Sequence, residues 1–289
     1  MTIATRRLIS IEDLRAAVAL QQNTQQHHPV AIWHVPHLRH VHNSGGLLLG
    51  VSSANASEVS LDGLLIDLVS KPDEYPAHQT VAWCVSTARQ DRGIGTQLRL
   101  AERRILREKR VDVVRSELDP LDSKGLHLAL NKLGGILTGY TPDCLGSHRD
   151  PPTPGLATDC VHWEWWLDAP RVIGILDRGD RHPSHSIGLH EMAVATATTT
   201  RPSGVRGIVN WNPNPSASHV LVEIPTDISS MQVRDCEAAI QWRLQSRDAM
   251  LWLFSQGYLG VGLIHEGGRS FLLFKIGTRR TELSDVAKH

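Results

Sequence analysis

A short glycine-bearing turn between an apolar strand and an amphipathic helix constrains the fold of this chain more than any other feature. A strand is predicted over Thr80–Ser86 (TVAWCVS), and the helix that follows is predicted over 94–109. Between them, Gln90–Gly95 (QDRGIG) fits the pattern Q/R-x-x-G-x-G/A. A buried strand that turns on glycines directly into a helix is typical of a mixed α/β fold.

The same turn has the properties of an anion site. The first amides of a helix have no acceptor within the helix, and they lie at the positive end of its dipole. Gly93 and Gly95 let a phosphate approach these amides closely. Glycine turns of this kind also occur without a ligand, so the neighbouring elements must support the assignment. We predict that Gln90–Gly95 holds a pyrophosphate.

Further helices and strands are predicted from apolar periodicity and from capping, Gly and Pro residues. In chain order they are a helix over 10–22, strands over Gly45–Val51, Gly63–Val69 and Val111–Leu118, a helix from Asp119-Pro120 to about Lys132, strands over Ile136–Tyr140 and 161–167, and a strand–helix–strand–strand unit from Val220 to about Ile276. Gly134-Gly135 is the predicted stop of the helix that begins at Asp119-Pro120.

The length of the chain, 289 residues, allows either one large domain or two modest ones. We predict a first domain over 1–170, an irregular connection over 171–219 and a C-terminal unit over 220–289. The middle stretch is assigned to a connection because it is rich in Gly, Pro, Ser, Thr and His and has little periodicity.

The charge, the apolar content and the cysteines of the chain indicate which classes of partner and which cellular compartment to expect. The chain has 30 basic and 30 acidic side chains, so it offers no general field for a nucleic-acid backbone, and no such partner is expected. No stretch approaches the ~20 apolar residues that span a bilayer, which predicts a cytoplasmic protein without a membrane partner. Cys84, Cys144, Cys160 and Cys236 form no CxxC pair and are expected to be free thiols.

Several motifs in a fixed order resemble the core of the GNAT acyltransferase superfamily. They are Val85–Gly95 with the helix after it, the strand that ends at Leu118-Asp119-Pro120, and LNKLGG at 130–135. GLATD…EWWLDAPRV at 155–172 and the later EIPTDI…RLQSRDAM…QGY resemble one branch, described only as predicted acetyltransferases. The resemblance implies a GNAT-type central mixed sheet with splayed strands, followed by a smaller C-terminal α+β unit.

The resemblance also implies where the donor binds. The strand Thr80–Ser86 would splay from Val111–Leu118, and the pantetheine arm of coenzyme A would lie in the slot, with one backbone N–H near Trp83–Val85 polarising the thioester carbonyl. The implied cofactor-binding residues are Trp83, Cys84, Val85, Gln90, Asp91, Arg92, Gly93, Ile94, Gly95 and Thr96. The donor is acetyl-CoA or another acyl-CoA, and no metal is expected.

Catalytic groups are harder to choose from the sequence. Glu117 and Asp119 end the strand beside the slot and are candidate bases, although Glu117 is equally a surface carboxylate and Asp119 is a favoured helix cap before Pro120. Leu130 stands where GNAT enzymes often have a tyrosine that protonates the leaving thiolate. Either Tyr140, Cys84, Ser86 or His127 takes that role, or water protonates the thiolate.

The function implied is an acyl-CoA-dependent N-acyltransferase that acts on a small amine by direct attack in a ternary complex. Two alternatives stay open. One is other acyl chemistry on the same scaffold, namely O-acyl transfer, a carrier-protein thioester or decarboxylation. The other is a coenzyme A-binding protein without catalysis. A homodimer through the C-terminal unit also stays open.

Three further clusters have a structural and a functional interpretation. The histidines at 27, 28, 34, 37, 40 and 42 lack a recognised metal spacing and suit a cover over the acceptor. Trp163 and Trp165 share one face of a strand and form either core packing or an aromatic wall. Arg99, Arg103, Arg104, Arg107 and Arg110 are mostly solvated, with one or two able to reach the 3′-phosphate of coenzyme A.

Overall fold

The computed structural model describes residues 4–24, 32–52, 60–70, 75–144, 146, 156–178, 192–212 and 217–284. Within it the chain divides into two compact units, Met1–Ser116 and Glu117–His289. Each unit has its own strands, helices and buried residues. The predicted boundaries at 170 and 219 stay predictions.

The first unit contains the glycine turn and the elements around it. Its elements are β1 Ala4–Arg7, α1 Ile11–Thr24, α2 Val35–Asn43, β2 Leu47–Ser52, β3 Gly63–Val69, β4 Ala77–Val85, a 3₁₀ turn Thr87–Arg89, α3 Ile94–Glu108 and β5 Val113–Leu118, whose last two residues begin the second unit. Strands β1 to β4 pair antiparallel in chain order, and β5 pairs parallel to β4. The sheet is therefore mixed, as predicted.

Helices α1 and α2 cover one face of this sheet. Leu14 and Leu20 of α1 and Leu38 of α2 pack with Leu64 and Ile66 of β3 in one buried cluster. The strand β3 also lies very close to the start of α3. A Cβ at Gly63 would lie only 2.7 Å from a methyl carbon of Ile94. Glycine at position 63 lets the helix after the turn pack directly on the strand.

The second unit is built around a larger set of antiparallel strands. Its elements are α4 Ser123–His127, continued by a π-helical turn Leu128–Lys132, then β6 Ile136–Thr141, β7 Cys160–Trp166, α5 Pro170–Arg178, β8 Ala193–Val194, β9 Thr196–Thr200, β10 Arg206–Trp211, β11 His219–Ile224, α6 Ile228–Arg234, α7 Cys236–Ser255, β12 Tyr258–Glu266, β13 Arg269–Ile276 and α8 Arg279–Ser284. Strands β7, β6, β12, β13, β11 and β8 are neighbours in that order, and β9 pairs with β10. Only β8 pairs parallel within this set.

The tryptophans of β7 belong to the core of the second unit. Trp163 and Trp165 stack with ring centroids 5.8 Å apart, and both are buried. Their indole nitrogens donate to the carbonyl oxygens of Ala129 and Leu133, at 3.3 and 2.8 Å. Gly135 is required beside them, because a Cβ there would lie 2.0 Å from the Trp163 indole nitrogen. These tryptophans are core packing rather than a ligand wall.

The predicted fold class, a mixed-sheet α/β chain with further strands and helices toward its C-terminus, is confirmed. One predicted helix begins later than expected. Asp119-Pro120 does not open it, although the Asp119 carboxylate accepts from the Leu121 amide at 2.8 Å and also pairs with Arg243. The helix begins at Ser123, and Asp122 caps it by accepting from the Gly125 amide at 3.1 Å. The stretch predicted as an irregular connection contains α5, β8, β9 and β10, while residues 179–191 and 213–216 lie outside the described residues.

Across the described ranges, no helix combines the length and the apolar composition needed to cross a bilayer.

Candidate functional site

The glycine turn has the geometry that an anion site requires. Gly93 adopts the left-handed region with φ of 77° and is the residue before α3, and no side chain caps the helix there. Gln97 donates to the Gly93 carbonyl, so regular helical bonding begins with its amide, and the amides of Ile94, Gly95 and Thr96 precede it. These amides are therefore available to a ligand at the positive end of the helix dipole.

The turn is open to solvent on one side and anchored on the other. Gln90, Asp91, Arg92 and Gly93 are exposed, and a Cβ at Gly93 would meet nothing within 4 Å. Ile94, by contrast, is buried against Gly63. An exposed rim on a fixed base is the arrangement expected of a preformed phosphate cradle.

The residues just before α3 contact Asp62, which directly precedes β3. The Ser86 amide donates to the Asp62 carbonyl oxygen at 2.8 Å, and the Arg89 guanidinium pairs with the Asp62 carboxylate at 3.3 Å. The Arg89 amide also donates to the Ser86 carbonyl oxygen, which closes the 3₁₀ turn. These contacts fix the path by which the chain reaches Gly93.

Strand β4 offers backbone groups on the edge that faces β5. The parallel register runs from Ala77 opposite Val113 to Thr80 opposite Ser116, while β4 continues to Val85 in pairing with β3. An extra residue, Val81, interrupts the register with β3 at the same point. A bulge increases the local twist of a strand. The bulge at Val81 therefore gives a physical reason why the pairing of β4 with β5 ends here, as a splay of these two strands requires.

The side chains at the end of β4 point to opposite faces. Trp83 faces α3, where the Arg99 guanidinium lies 4.2 Å from its ring centroid. Cys84 packs against the α1 and α2 cluster, and burial raises the pKa of its thiol to about 11. A thiol with so high a pKa is a weak proton donor to a leaving thiolate, which disfavours Cys84 as the acid that replaces the missing tyrosine.

A buried charged cluster joins α3 to β4 behind the turn. Arg99 pairs with Glu102 at 2.9 Å and donates to the Thr80 hydroxyl at 2.7 Å, and both charged side chains are fully buried. The sequence groups Arg99 with arginines of which most are expected to be solvated, and for Arg99 this expectation is wrong, because its side chain is fully buried. Its side chain points into the unit because α3 buries Leu98, Arg99, Glu102 and Leu106 rather than only its apolar residues.

Two further titratable groups are buried around this cluster. Burial, reinforced by the charge of Glu102, raises the pKa of Asp67 well above its ordinary value, which favours the neutral form of this carboxyl group. Burial, followed by the positive charge of Lys109, lowers the pKa of His78 to about 4, so its imidazole is also neutral at pH 7. Both side chains are buried. Asp67 and His78 each interact electrostatically with Glu102, and His78 also interacts with Lys109 at the C-terminal end of α3.

The predicted catalytic residues all lie in the second unit, and two of them are hydrogen-bonded to charged side chains. Asp119 accepts two hydrogen bonds from the Arg243 guanidinium, at 2.7 and 2.9 Å. Tyr140 donates to Asp159 at 2.6 Å, and Arg247 also binds Asp159 through two nitrogens. We call these five residues the arginine network.

Tyr140 is poorly suited to donate a proton in this setting. Burial, followed by its hydrogen bond to Asp159 and the charge of that carboxylate, raises the pKa of the phenol far above its ordinary value. The hydroxyl proton is also already used in the bond to Asp159. Asp119 and Tyr140 therefore have structural partners that the sequence alone did not reveal.

Glu117 has a different environment. Its side chain is exposed, and its carboxylate lies near the sulfur atoms of Cys144 and Cys160, all within 4.8 Å of one another. The two cysteines form a disulfide, so the prediction that they are free thiols is wrong, whereas Cys84 and Cys236 are free. They were missed because no short motif links them; the hairpin of β6 and β7 brings them together.

The histidines of the predicted acceptor cover are only partly described. His37, His40 and His42 lie in α2, where their side chains are exposed, and His34 precedes that helix. His27 and His28 lie outside the described residues. A role over the acceptor stays a prediction.

Solved structures of acetyltransferases are similar to the chain over rather more than half its length. An N-acetyltransferase from Staphylococcus aureus Mu50 matches 58% of this chain and 99% of its own, with 15% identity and a TM-score of 0.47. An IAA acetyltransferase from Bacillus cereus matches 57% and 99%, with 14% identity and a TM-score of 0.44. The NatC complex bound to Gag peptide and CoA matches 57% and 99%, with 13% identity and a TM-score of 0.47.

These likenesses are distant in sequence. A structure described as a putative acetyltransferase of the GNAT family, from Desulfovibrio desulfuricans, matches at 12% identity and a TM-score of 0.44. No protein-family model matches the sequence. No curated protein matches it either.

Proposed function

We propose that the protein is an acyl-CoA-dependent N-acyltransferase, with acetyl-CoA as the favoured donor and a small amine as the acceptor. The observation that carries the proposal is the left-handed Gly93 at an uncapped helix start, directly after a strand whose pairing with β5 stops at Thr80. The amides of Ile94, Gly95 and Thr96 would hold the pyrophosphate. Backbone groups of Val81–Val85 would bind the pantetheine arm.

In the proposed reaction the amine nitrogen attacks the thioester carbonyl carbon, and the carbon–sulfur bond breaks. A backbone N–H near Trp83–Val85 stabilises the negative charge on the carbonyl oxygen. Among the three predicted bases and acids, Glu117 alone is an exposed carboxylate outside the arginine network. We therefore favour Glu117, through water, as the group that accepts the amine proton.

The leaving thiolate would take its proton from water. Leu130 is fully buried where the family often has a tyrosine, and the Tyr140 hydroxyl is bound to Asp159. A thiolate is a tolerable leaving group because an ordinary thiol has a pKa of about 8.5. This route needs no side-chain acid.

A matched pair of substitutions at Gly93 tests the donor site. Asn and Asp are similar in shape and both tolerate the left-handed region, so Gly93→Asn and Gly93→Asp differ mainly in charge. A carboxylate beside a pyrophosphate repels it, and we expect Gly93→Asp to lower the acetyl-CoA affinity about tenfold or more relative to Gly93→Asn, measured by calorimetry. Equal acetyl-CoA affinities for the two variants would show that the turn at Gly93 does not bind the pyrophosphate.

A binding protein without catalysis is the second candidate, and the engaged state of Asp119 and Tyr140 favours it. Release of free coenzyme A from acetyl-CoA with a panel of small amines separates the two. Turnover that depends on the amine and is lost in Glu117→Gln supports the transferase. Tight donor binding with no coenzyme A release from any amine supports the binding protein.

A further inference from the structure

The side chains of Glu117, Cys144 and Cys160 bring one carboxylate and two sulfur atoms together in the second unit. Glu117 lies near the end of β5, Cys144 follows β6, and Cys160 opens β7. Their potential ligand atoms lie within 4.8 Å of one another. In the disulfide form the sulfur atoms have no negative charge and make poor metal ligands. The cluster has a different chemistry once the disulfide is reduced.

The backbone keeps the two cysteines close without help from the sulfur–sulfur bond. Thr141 pairs with Cys160 in the β6–β7 ladder, and the Cys144 amide donates to the Thr158 carbonyl oxygen at 2.9 Å. The Cα atoms of the two cysteines are 5.9 Å apart. Reduction therefore leaves two thiols side by side.

Side chains in the intervening turn reinforce that arrangement. The Asp143 amide donates to the Asp159 carboxylate at 2.9 Å, and the Thr158 hydroxyl donates to the Asp143 carboxylate at 3.1 Å. Asp159 is itself bound by Arg247. The segments that present Cys144 and Cys160 are thus fixed by hydrogen bonds on both sides of the sulfur pair.

The three side chains can reach the geometry of one tetrahedral metal ion once the sulfur–sulfur bond is broken and the two sulfur atoms separate. Zinc binds thiolate sulfur at ~2.3 Å and carboxylate oxygen at ~2.1 Å, so two sulfur ligands of one tetrahedral ion lie about 3.8 Å apart. Ligand atoms within 4.8 Å of one another need only small side-chain movements to reach such distances. The exposed Glu117 and the half-buried Cys144 leave a path for an ion from solvent.

We propose that reduction of the Cys144–Cys160 disulfide creates a binding site for Zn²⁺ or another thiophilic divalent cation, with Cys144, Cys160 and Glu117 as ligands and a fourth position open to water. A dithiol supplies two electrons to the sulfur–sulfur bond and becomes a disulfide itself, which leaves two protein thiols. Binding of the cation then releases their two protons to solvent. In a reducing compartment the thiol form prevails, and a Glu117 carboxylate bound to the cation would not be free to accept the amine proton of the proposed reaction.

Cobalt(II) is a suitable probe because thiolate ligands give it a charge-transfer absorption. The full chain is titrated with Co²⁺ after treatment with a phosphine reductant, and again without it. We expect the thiolate–cobalt absorption to saturate at about one Co²⁺ per reduced chain and to be absent from the disulfide form. Excess Zn²⁺ should abolish the absorption, because zinc competes for the same ligands.

Three variants assign the ligands. In the reduced state we expect Cys144→Ser to lose the absorption and Glu117→Gln to weaken Co²⁺ binding about tenfold or more. Cys236→Ser is the matched control and should retain wild-type binding, because Cys236 is an exposed free thiol outside the cluster. The far-ultraviolet circular dichroism of every variant checks that it is folded.

The proposal is overturned if reduced wild-type protein shows no thiolate–cobalt absorption. It is equally overturned if a folded Cys144→Ser variant keeps the absorption, or if Glu117→Gln binds Co²⁺ as tightly as wild type. None of these measurements depends on acyl transfer, so they can contradict the proposed metal site without contradicting the proposed function.

Discussion

The two regions that contain the predicted functional residues differ in whether their polar groups have partners within the protein. In the first unit, the glycine turn before α3 exposes backbone amides that no side chain caps. In the second unit, the arginine network pairs the polar side chains with one another. Open donors are suited to binding a ligand, and paired groups are suited to holding a structure together.

The contrast also separates two kinds of sequence signal. A phosphate turn is local, because its glycines and its helix start are neighbours in the chain. The arginine network is non-local, because Asp119 and Arg243 are 124 positions apart and Asp159 and Arg247 are 88 apart. A carboxylate that looks catalytic in isolation can therefore be a structural partner.

The largest effect expected is loss of stability when the arginine network is broken. Asp159→Asn leaves the Arg247 guanidinium and the Tyr140 hydroxyl without their buried charged partner, and we expect it to lower the free energy of unfolding by about 3–5 kcal/mol. Denaturant unfolding under reducing conditions measures this, with the disulfide broken in every variant. The donor affinity of the folded fraction should be unchanged.

A surface ion pair provides the control for that measurement. Glu237 contacts Arg201 at 3.1 Å, but its side chain is 75% exposed. Glu237→Gln should therefore change stability by less than about 1 kcal/mol. Equal losses for Asp159→Asn and Glu237→Gln would contradict the description of the arginine network as a buried structural unit.

Much of the fold could be predicted from the sequence, because apolar periodicity and glycine stops are local. Strand β3 has the predicted bounds, and α3 ends within one residue of its predicted end. Asp119 looked like a cap because it precedes Pro120, but the helix starts later, at Ser123. Its partner in the C-terminal helix could not be found from local pattern.

The buried charges of the first unit were missed for a different reason. Arg99 lies in a run of arginines, and a run of like charges is usually solvated. A signal was present, however: Leu98, Glu102 and Leu106 recur at intervals of four and continue the buried stripe of α3. An arginine and a glutamate three positions apart on that stripe indicate an internal ion pair rather than a surface one.

The next effect concerns pH and the buried titratable groups of the first unit. The pKa of His78 is about 4 in the folded protein and about 6.5 in the unfolded chain. Between these values the unfolded chain binds the additional proton, so the contribution of His78 to stability is present above pH 6.5 and is lost as the pH falls toward 4. The loss amounts to up to about 3 kcal/mol.

His78→Gln isolates this contribution. The raised pKa of Asp67 acts in the opposite direction, because its folded form retains a proton that the unfolded chain releases. The difference in unfolding free energy between wild type and His78→Gln, measured from pH 7.5 to 4.5, removes the Asp67 contribution. A difference that does not change with pH would show that burial does not hold His78 neutral in the folded first unit.

The smallest effect expected is that of removing the Tyr140 hydroxyl. Tyr140→Phe loses one hydrogen bond to Asp159 while Arg247 still neutralises that carboxylate, so we expect a loss of about 1–2 kcal/mol in unfolding free energy. If Tyr140 is structural, kcat and its pH profile should match those of wild type once an active amine is known. A tenfold or greater fall in kcat, with the donor affinity unchanged, would instead place Tyr140 among the catalytic groups. The second unit would then contain a reactive group inside its paired network, and the division between an open binding region and a closed structural one would no longer hold.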